Sequence, residues 1–310
     1  MNPIVQAEAP DSVAAIQYTE TYNELMGLFR AAIKDGELSE RVLLLTEDLL
    51  AVNEGNYTVW QYRRECLRAL GCDLTKELDY MDTFAEENPK NYQIWHHRRA
   101  VVEMYGSGAR ELDFTAYVFV VDPKNYHAWA HRQWVLATFN LWEGELEYVE
   151  ALLRDDLRNN SAWNQRWFVV HRGGSSATQL PADVVQRELG FAFAAIGRVS
   201  KNESAWNYVR GLARFHPESV PQIRAKCIEF DTTAPSSSSS NGNADRDQRR
   251  SKTGNPHALG LLGDLREAEG SAESLAHAAV LFAALQAVDA IRVKYWTRRV
   301  DTVRLKIAAL

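Results

Sequence analysis

Five residues ahead of four of its tryptophans the chain places a basic side chain: Lys90, Lys124, Arg158 and Lys201 stand before Trp95, Trp129, Trp163 and Trp206. Gly55 takes that place before Trp60. An asparagine comes next each time, as Asn56, Asn91, Asn125, Asn159 and Asn202, where the N-cap of a helix belongs. A helix starting there turns its free N–H groups and the positive end of its dipole towards the basic side chain. That combination suits a phosphate or diphosphate. For a lysine taken singly, the simpler reading is a solvated turn.

The elements that must position these groups are legible as a repeat. Asn56-Tyr57-Thr58-Val59-Trp60 returns as Asn91-Tyr92-Gln93-Ile94-Trp95 and as Asn125-Tyr126-His127-Ala128-Trp129, with weaker copies ending in Trp163 and Trp206. The tryptophans lie 35, 34, 34 and 43 residues apart, a period that marks a stack of helical hairpins. A second motif keeps phase: Glu77-Leu78, Glu111-Leu112, Glu145-Leu146 and Glu188-Leu189 each begin 18 residues before a tryptophan, and the first copy keeps only Leu43. The unit is therefore rigid from Glu-Leu to Trp. The extra residues of the long spacing fall before Glu188, at the loop Gly173-Gly174-Ser175-Ser176.

Each unit reads as two helices. The first carries apolar residues at helical spacing, such as Leu78, Met81 and Phe84. It ends at a turn, explicit as Asn88-Pro89 and Asp122-Pro123, since proline cannot continue it. Arg63, Arg98, Arg132 and Arg166 follow the tryptophans by three, and Arg210 by four. Packing explains these tryptophans and arginines most simply: Trp fills the groove between hairpins, and Arg pairs with an acid and stacks on a ring. The same reading covers His96, His97 and His131. Their equivalents in other repeats are Gln61, Tyr62, Ala130, Asn164 and Gln165, so no chemistry is read as preserved there between units.

Composition narrows the classes. The 310 residues are 46% apolar and 25% charged, the balance of a folded globular chain. A net charge of −6 argues against a nucleic-acid partner. No run of eighteen apolar residues could span a membrane, and Glu8 and Asp11 speak against a signal peptide. Cys66, Cys72 and Cys227 form no CxxC pair and read as helix packing in a reducing, cytoplasmic compartment. No cluster has zinc-ligand spacing.

The pattern Asn-Tyr-x-x-Trp-x-x-Arg at this period resembles the alpha-subunit repeat of heterodimeric protein prenyltransferases, in particular the alpha chain shared by farnesyltransferase and geranylgeranyltransferase type I. The match is strong over about residues 38–215 and loose beyond. The resemblance implies an all-α, right-handed superhelical solenoid of α-α hairpins wrapped round a beta subunit. It implies that the beta subunit holds the catalytic Zn2+, with Mg2+ accompanying the diphosphate. The reaction implied is transfer of farnesyl or geranylgeranyl from a prenyl diphosphate to the cysteine thiol of C-terminal CaaX proteins. On this chain, the resemblance gives Lys90 a place beside the diphosphate in the chemical step and Gln93 a contact with the acceptor's terminal carboxylate. Tyr92 lies between them, and Asn125, Tyr126 and His127 approach the same site. The bare residues leave Asn125 open as an N-cap and Tyr126 open as packing.

The expected organisation is an N-terminal segment, 1–37; five hairpin repeats, 38–231; a disordered serine-rich insertion, 232–255; and C-terminal helices or cap, 256–310. There Tyr295-Trp296 with Arg299 reads as a degenerate sixth copy lacking its asparagine. Two alternatives stand beside the main reading: the alpha subunit of Rab geranylgeranyltransferase, and a non-catalytic helical-repeat scaffold.

Overall fold

A computed structural model describes residues 2–6, 13–14, 16–173, 179–230 and 254–310, and for 84–87 the backbone only. Among the described residues there are fifteen α-helices and no strand. The chain divides into two compact units, residues 1–143 and 144–310. In the first, α1 (Glu20–Asp35) precedes three hairpins: α2 (Glu40–Val52) with α3 (Tyr57–Leu70), α4 (Leu74–Glu87) with α5 (Tyr92–Tyr105), and α6 (Ala109–Val121) with α7 (Tyr126–Phe139). Within this unit α3 packs on α5 and α5 on α7. The second unit pairs α8 (Glu145–Asp155) with α9 (Asn160–Arg172), α10 (Ala182–Arg198) with α11 (Glu203–Phe215), α12 (Val220–Ile228) with α13 (Pro256–Glu269), and α14 (Ala272–Val288) with α15 (Val293–Ala308). This is the all-α hairpin-repeat class expected from the sequence.

The recurring asparagine and tryptophan build the turn inside each hairpin. Asn91 Oδ1 accepts from the Gln93 N–H at 2.8 Å, and Asn125 Oδ1 from the Ala128 N–H at 3.0 Å. A cap of this kind contributes about 1 kcal/mol. One turn later the tryptophan is buried, and its indole N–H reaches back six residues to a turn carbonyl. Trp95 donates to the Pro89 oxygen at 3.0 Å, Trp163 to Leu157 at 2.9 Å and Trp206 to Ser200 at 2.7 Å. The asparagine of the next hairpin donates its amide N–H to the same oxygen: Asn125 to Pro89 at 3.1 Å, Asn202 to Leu157 at 2.7 Å. Each of these carbonyls thus uses both lone pairs and ties consecutive turns together. At the far ends of α3 and α5, Gly71 and Gly106 take φ of +61° and +80°, a conformation a β carbon disfavours.

A buried carboxylate joins one hairpin to the next. Arg63 of α3 grips Glu77 of α4 with Nε and Nη2, both at 2.7 Å. Arg98 grips Glu111 at 2.6 and 2.8 Å, and Arg166 grips Glu188 at 2.6 and 2.9 Å. The third guanidinium nitrogen is held by its own hairpin, by Thr46 for Arg63, Asp82 for Arg98 and Glu150 for Arg166. The aromatic residue three places after the glutamate lies against the guanidinium face: Arg98 sits 3.3 Å from the Phe114 ring centre and Arg166 3.6 Å from that of Phe191.

These three glutamates, and Glu145 at the same place in its own repeat, take a donor from the residue two places after the tryptophan. His97 Nε2 donates to Glu77 at 2.8 Å, His131 Nε2 to Glu111 at 2.6 Å, Gln165 Nε2 to Glu145 at 2.7 Å, and the Tyr208 hydroxyl to Glu188 at 2.6 Å. This corrects the expectation that nothing is preserved at that position. Residue type varies, but a buried hydrogen-bond donor recurs. His96 departs the other way: it is exposed and takes no part in the packing read for it.

The end of the array also differs from the sequence reading. Residues 231–253, most of the serine-rich stretch, lie outside the described residues, as do 174–178 of the loop before Glu188. Asn255, counted with the insertion, is fully buried. It caps α13, accepting from the His257 and Ala258 N–H groups, and donates to the Ser200 carbonyl at 2.5 Å. It is the missing sixth asparagine, with Leu259 where the tryptophan would stand. The motif at Tyr295-Trp296 belongs to the following hairpin. There the Trp296 indole donates to the Asp289 carboxylate at 2.8 Å, and Arg299 to Asp264 at 2.7 Å.

Two outcomes follow from the buried carboxylates. Glu111→Gln leaves Arg98 without its main counter-charge in a fully buried site, and the expected loss is about 3–5 kcal/mol in urea denaturation. Asp113→Asn, on the exposed side of the same helix, should stay within about 0.5 kcal/mol. The second outcome is acid lability. Burial alone would raise the Glu77 carboxyl, but the bonds from His97 and Arg63 and the charge of Arg63 hold it at about 2. Burial pushes the His97 imidazole down to about 4, against its bond to Glu77. Both folded values lie below the unfolded ones, so both contributions are complete at neutral pH and fade as pH falls. The loss should begin near pH 6.5 through His97 and continue from about 4.5 to about 2 through Glu77 and Glu111. A urea midpoint that does not fall between pH 7 and pH 3 would contradict this.

Candidate functional site

The edge of the first unit formed by the N-termini of α3, α5 and α7 carries the sequence-predicted residues. Tyr57, Tyr92 and Tyr126 open the three helices and are 70%, 69% and 71% exposed. They follow the capping asparagines directly, so the cap that starts each helix also turns a phenol outward. Lys90 is exposed in the turn before α5, and Gln93 is half-buried in its first turn.

His127 gathers these groups. Its ring meets Tyr92 edge-on with centres 4.3 Å apart, lies 5.5 Å from Tyr126, and is nearly parallel to Trp95 at 6.2 Å. Burial pushes the imidazole below its ordinary value, and a hydrogen bond to the Lys90 backbone pulls the other way. The ring thus lies beside the backbone of the turn that carries Lys90. The neighbouring Pro89 carbonyl is the one bound by both Trp95 and Asn125. Lys90 therefore sits in a turn fixed from two hairpins, and the α7 side of the site is tied to the α5 side through that turn.

Asn125 is 2% exposed and fully engaged as cap and as donor to Pro89, so its amide is structural as it stands. Tyr126 is not packing within this chain, because its ring stands in solvent apart from the contact with His127. The structure brings Tyr92, Tyr126, His127 and the Lys90 turn together; the Gln93 side chain lies one position along from Tyr92. Tyr57, first residue of α3, stands on the same edge, and the repeat period is the signal that finds it. A cavity of about 360 Å3 elsewhere on the unit is lined by Asp82, Arg110, Asp113, Phe114 and Tyr117 and includes none of these residues.

Among the described residues no three His, Cys, Asp or Glu side chains converge as a metal site. No single described helix is long and apolar enough to cross a membrane. Cys66 and Cys227 are buried and unpaired, and Cys72 is half-buried.

The repeats match the family model described as the protein prenyltransferase alpha subunit repeat, at residues 39–70, 74–105, 109–139, 142–173 and 185–215. The chain is 39% identical over 241 residues to the pea (Pisum sativum) protein farnesyltransferase/geranylgeranyltransferase type-1 subunit alpha, covering 74% of this chain and 70% of that one. The tomato (Solanum lycopersicum) protein of the same name is 47% identical over 90 residues, 29% of this chain, so that match spans about a quarter (26%) of the relative's length. A solved structure of Candida albicans protein geranylgeranyltransferase-I complexed with GGPP superposes with a TM-score of 0.80 at 27% identity, covering 97% of this chain and 96% of that one.

The burial of Asn125 and the exposure of Tyr126 separate their roles. Asn125→Ala should cost about 1–2 kcal/mol through loss of the cap. Tyr126→Ala should leave the urea midpoint within about 0.5 kcal/mol, since it removes little packing. Equal losses at the two positions would overturn this distinction.

Proposed function

The chain belongs to the protein prenyltransferase alpha-subunit family, and we propose that it acts as the alpha subunit of a farnesyltransferase/geranylgeranyltransferase type I heterodimer in the cytoplasm. The observation that carries the reading is the Lys90 turn: a basic side chain held at the N-terminus of α5, with Tyr92, Tyr126 and His127 grouped round it. An alpha chain acting only as a scaffold has no need of that grouping on an outward edge. The extent of the pea match favours a type-1 over a Rab-type alpha subunit.

On this proposal the partner is a beta subunit, and the substrates are a prenyl diphosphate and a C-terminal CaaX protein. On the same reading the zinc that would activate the acceptor thiol belongs to the beta subunit, and Mg2+ would accompany the diphosphate. What this chain contributes is electrostatic. As the bond between C1 and the diphosphate oxygen breaks, negative charge grows on the leaving group. Lys90 and the N-terminus of α5 stabilise that charge more in the transition state than in the ground state. The Tyr126 hydroxyl donates to the same anion. His127, set against Tyr92 and Tyr126, offers a ring N–H to the same anion. Gln93 donates its amide N–H to the acceptor's terminal carboxylate, and Tyr92 walls the space between. Asn125 positions the Lys90 turn through Pro89.

The test is single-turnover prenyl transfer by the complex with its beta subunit. Lys90→Ala should slow the chemical step by about 10² to 10³, equivalent to roughly 3–4 kcal/mol, with a much smaller loss of prenyl diphosphate affinity. Lys124→Ala, at the same place in the next repeat, should be the milder change. Small, equal effects at both lysines would leave the chain as a scaffold for the beta subunit.

A further inference from the structure

We propose that His171 and His216, in the second unit, form a two-imidazole site for a divalent transition-metal ion. His171 lies in the last turn of α9, and His216 is the C-cap of α11. Their Nε2 atoms are 3.3 Å apart across 45 residues of sequence. Both stand at helix C-termini, where the outward carbonyls favour a cation. The site is separate from the residues assigned to prenyl transfer, so it does not depend on that reading.

The hydrogen bonding behind the two rings points to the ion. His171 Nδ1 is 2.8 Å from the Trp167 carbonyl, which only accepts, so the ring carries its proton on Nδ1 and a lone pair on Nε2. His216 is 2% exposed, and its Nδ1 has no hydrogen-bond partner. The nearest charged group to that nitrogen is the Glu218 carboxylate, 3.7 Å away. If His216 donated its Nε2–H to His171, a bare Nδ1 lone pair would be left buried and facing a carboxylate, which is costly on both counts. With the proton on Nδ1, the ring points a donor at Glu218. Its Nε2 lone pair then converges with that of His171, and two lone pairs at this distance call for a cation between them.

The separation suits a metal. Two nitrogens bound at about 2.0–2.1 Å and subtending a tetrahedral angle stand about 3.3–3.4 Å apart. An imidazole ligand whose outer nitrogen faces a carbonyl or a carboxylate has the support that fixes metal-binding histidines elsewhere. No third metal-ligating side chain converges with the pair among the described residues. Water completes the coordination sphere, so the ion is exchangeable rather than a closed structural centre. The pair also carries its own reporter, because the Trp167 ring stacks on His171 with centres 3.8 Å apart.

The test uses the full chain, stripped of metal and titrated with Cu2+ while tryptophan emission is followed. The expected result is saturable quenching at one ion per chain, an electron paramagnetic resonance spectrum with coupling to two nitrogens, and displacement by Zn2+. His171→Ala, at a half-buried position, should abolish the saturable phase with an unchanged circular dichroism spectrum. Glu218→Gln should weaken binding about tenfold without removing it, which a purely structural role would not produce. His216→Gln repeats the test from the buried side. Absence of a saturable phase, or a phase that survives in folded His171→Ala, would overturn the proposal and leave the pair as an N–H···N hydrogen bond.

Discussion

The buried glutamate carried by α4, α6 and α10 is the constraint on which the hairpin stacking within each unit depends. A carboxylate with almost no exposure has to find its counter-charge inside the protein. Glu77, Glu111 and Glu188 find it on the hairpin before, in a guanidinium that offers two parallel N–H groups. An apolar residue in the same place would stabilise the core as well or better, but it would tolerate sliding. The bidentate pair does not. It fixes where the second hairpin meets the first and how it is rotated, and the aromatic ring under the guanidinium narrows the choice further.

That constraint explains the sequence spacing. The glutamate is bound from its own hairpin by the residue two places after the tryptophan, so the distance from Glu to Trp cannot vary. All four copies keep 18 residues there, while the nine added residues of the fourth connection fall before Glu188. The exposed edge inherits this rigidity. Turn carbonyls shared by a tryptophan and the next asparagine are laid down at fixed intervals, and whatever the turn displays is fixed with them. Lys90 is presented by such a turn, and His127 reaches it from the adjoining helix.

The period, the tryptophan core and the N-caps were legible because tryptophan and asparagine keep their type from copy to copy, and the turn cations because Lys or Arg recurs in four of the five copies. The donor to the glutamate was not, since histidine, glutamine and tyrosine meet the same need with different side chains. What repeats there is an N–H or O–H at the right reach, which a comparison of letters discards. Asn255 was lost for another reason: a polar, serine-rich neighbourhood hid a residue whose burial depends on the Ser200 carbonyl, 55 positions away. The His171–His216 pair has no spacing signal at all, because its geometry comes from two helix ends meeting in space.

The exposed tyrosines complete the argument about the edge. A phenol about 70% exposed contributes little to the stability of the unit that carries it, yet Tyr57, Tyr92 and Tyr126 repeat in register on the second helices of three consecutive hairpins. Asparagine before each one already starts the helix, so capping does not require the aromatic. Tyrosine is a large, stiff side chain with one apolar face and one hydroxyl, suited to a surface that another molecule covers. On the first hairpin the accompanying basic residue is absent and Gly55 stands in its place, so Tyr57 offers contact without charge. On the next two hairpins the phenol is joined by Lys90 and Lys124. Only at the second of the three does the imidazole of the following helix close over the turn. The edge is thus graded in charge within a single repeating design, and the anion site proposed at Lys90 lies where basic side chain, phenol and imidazole occur together.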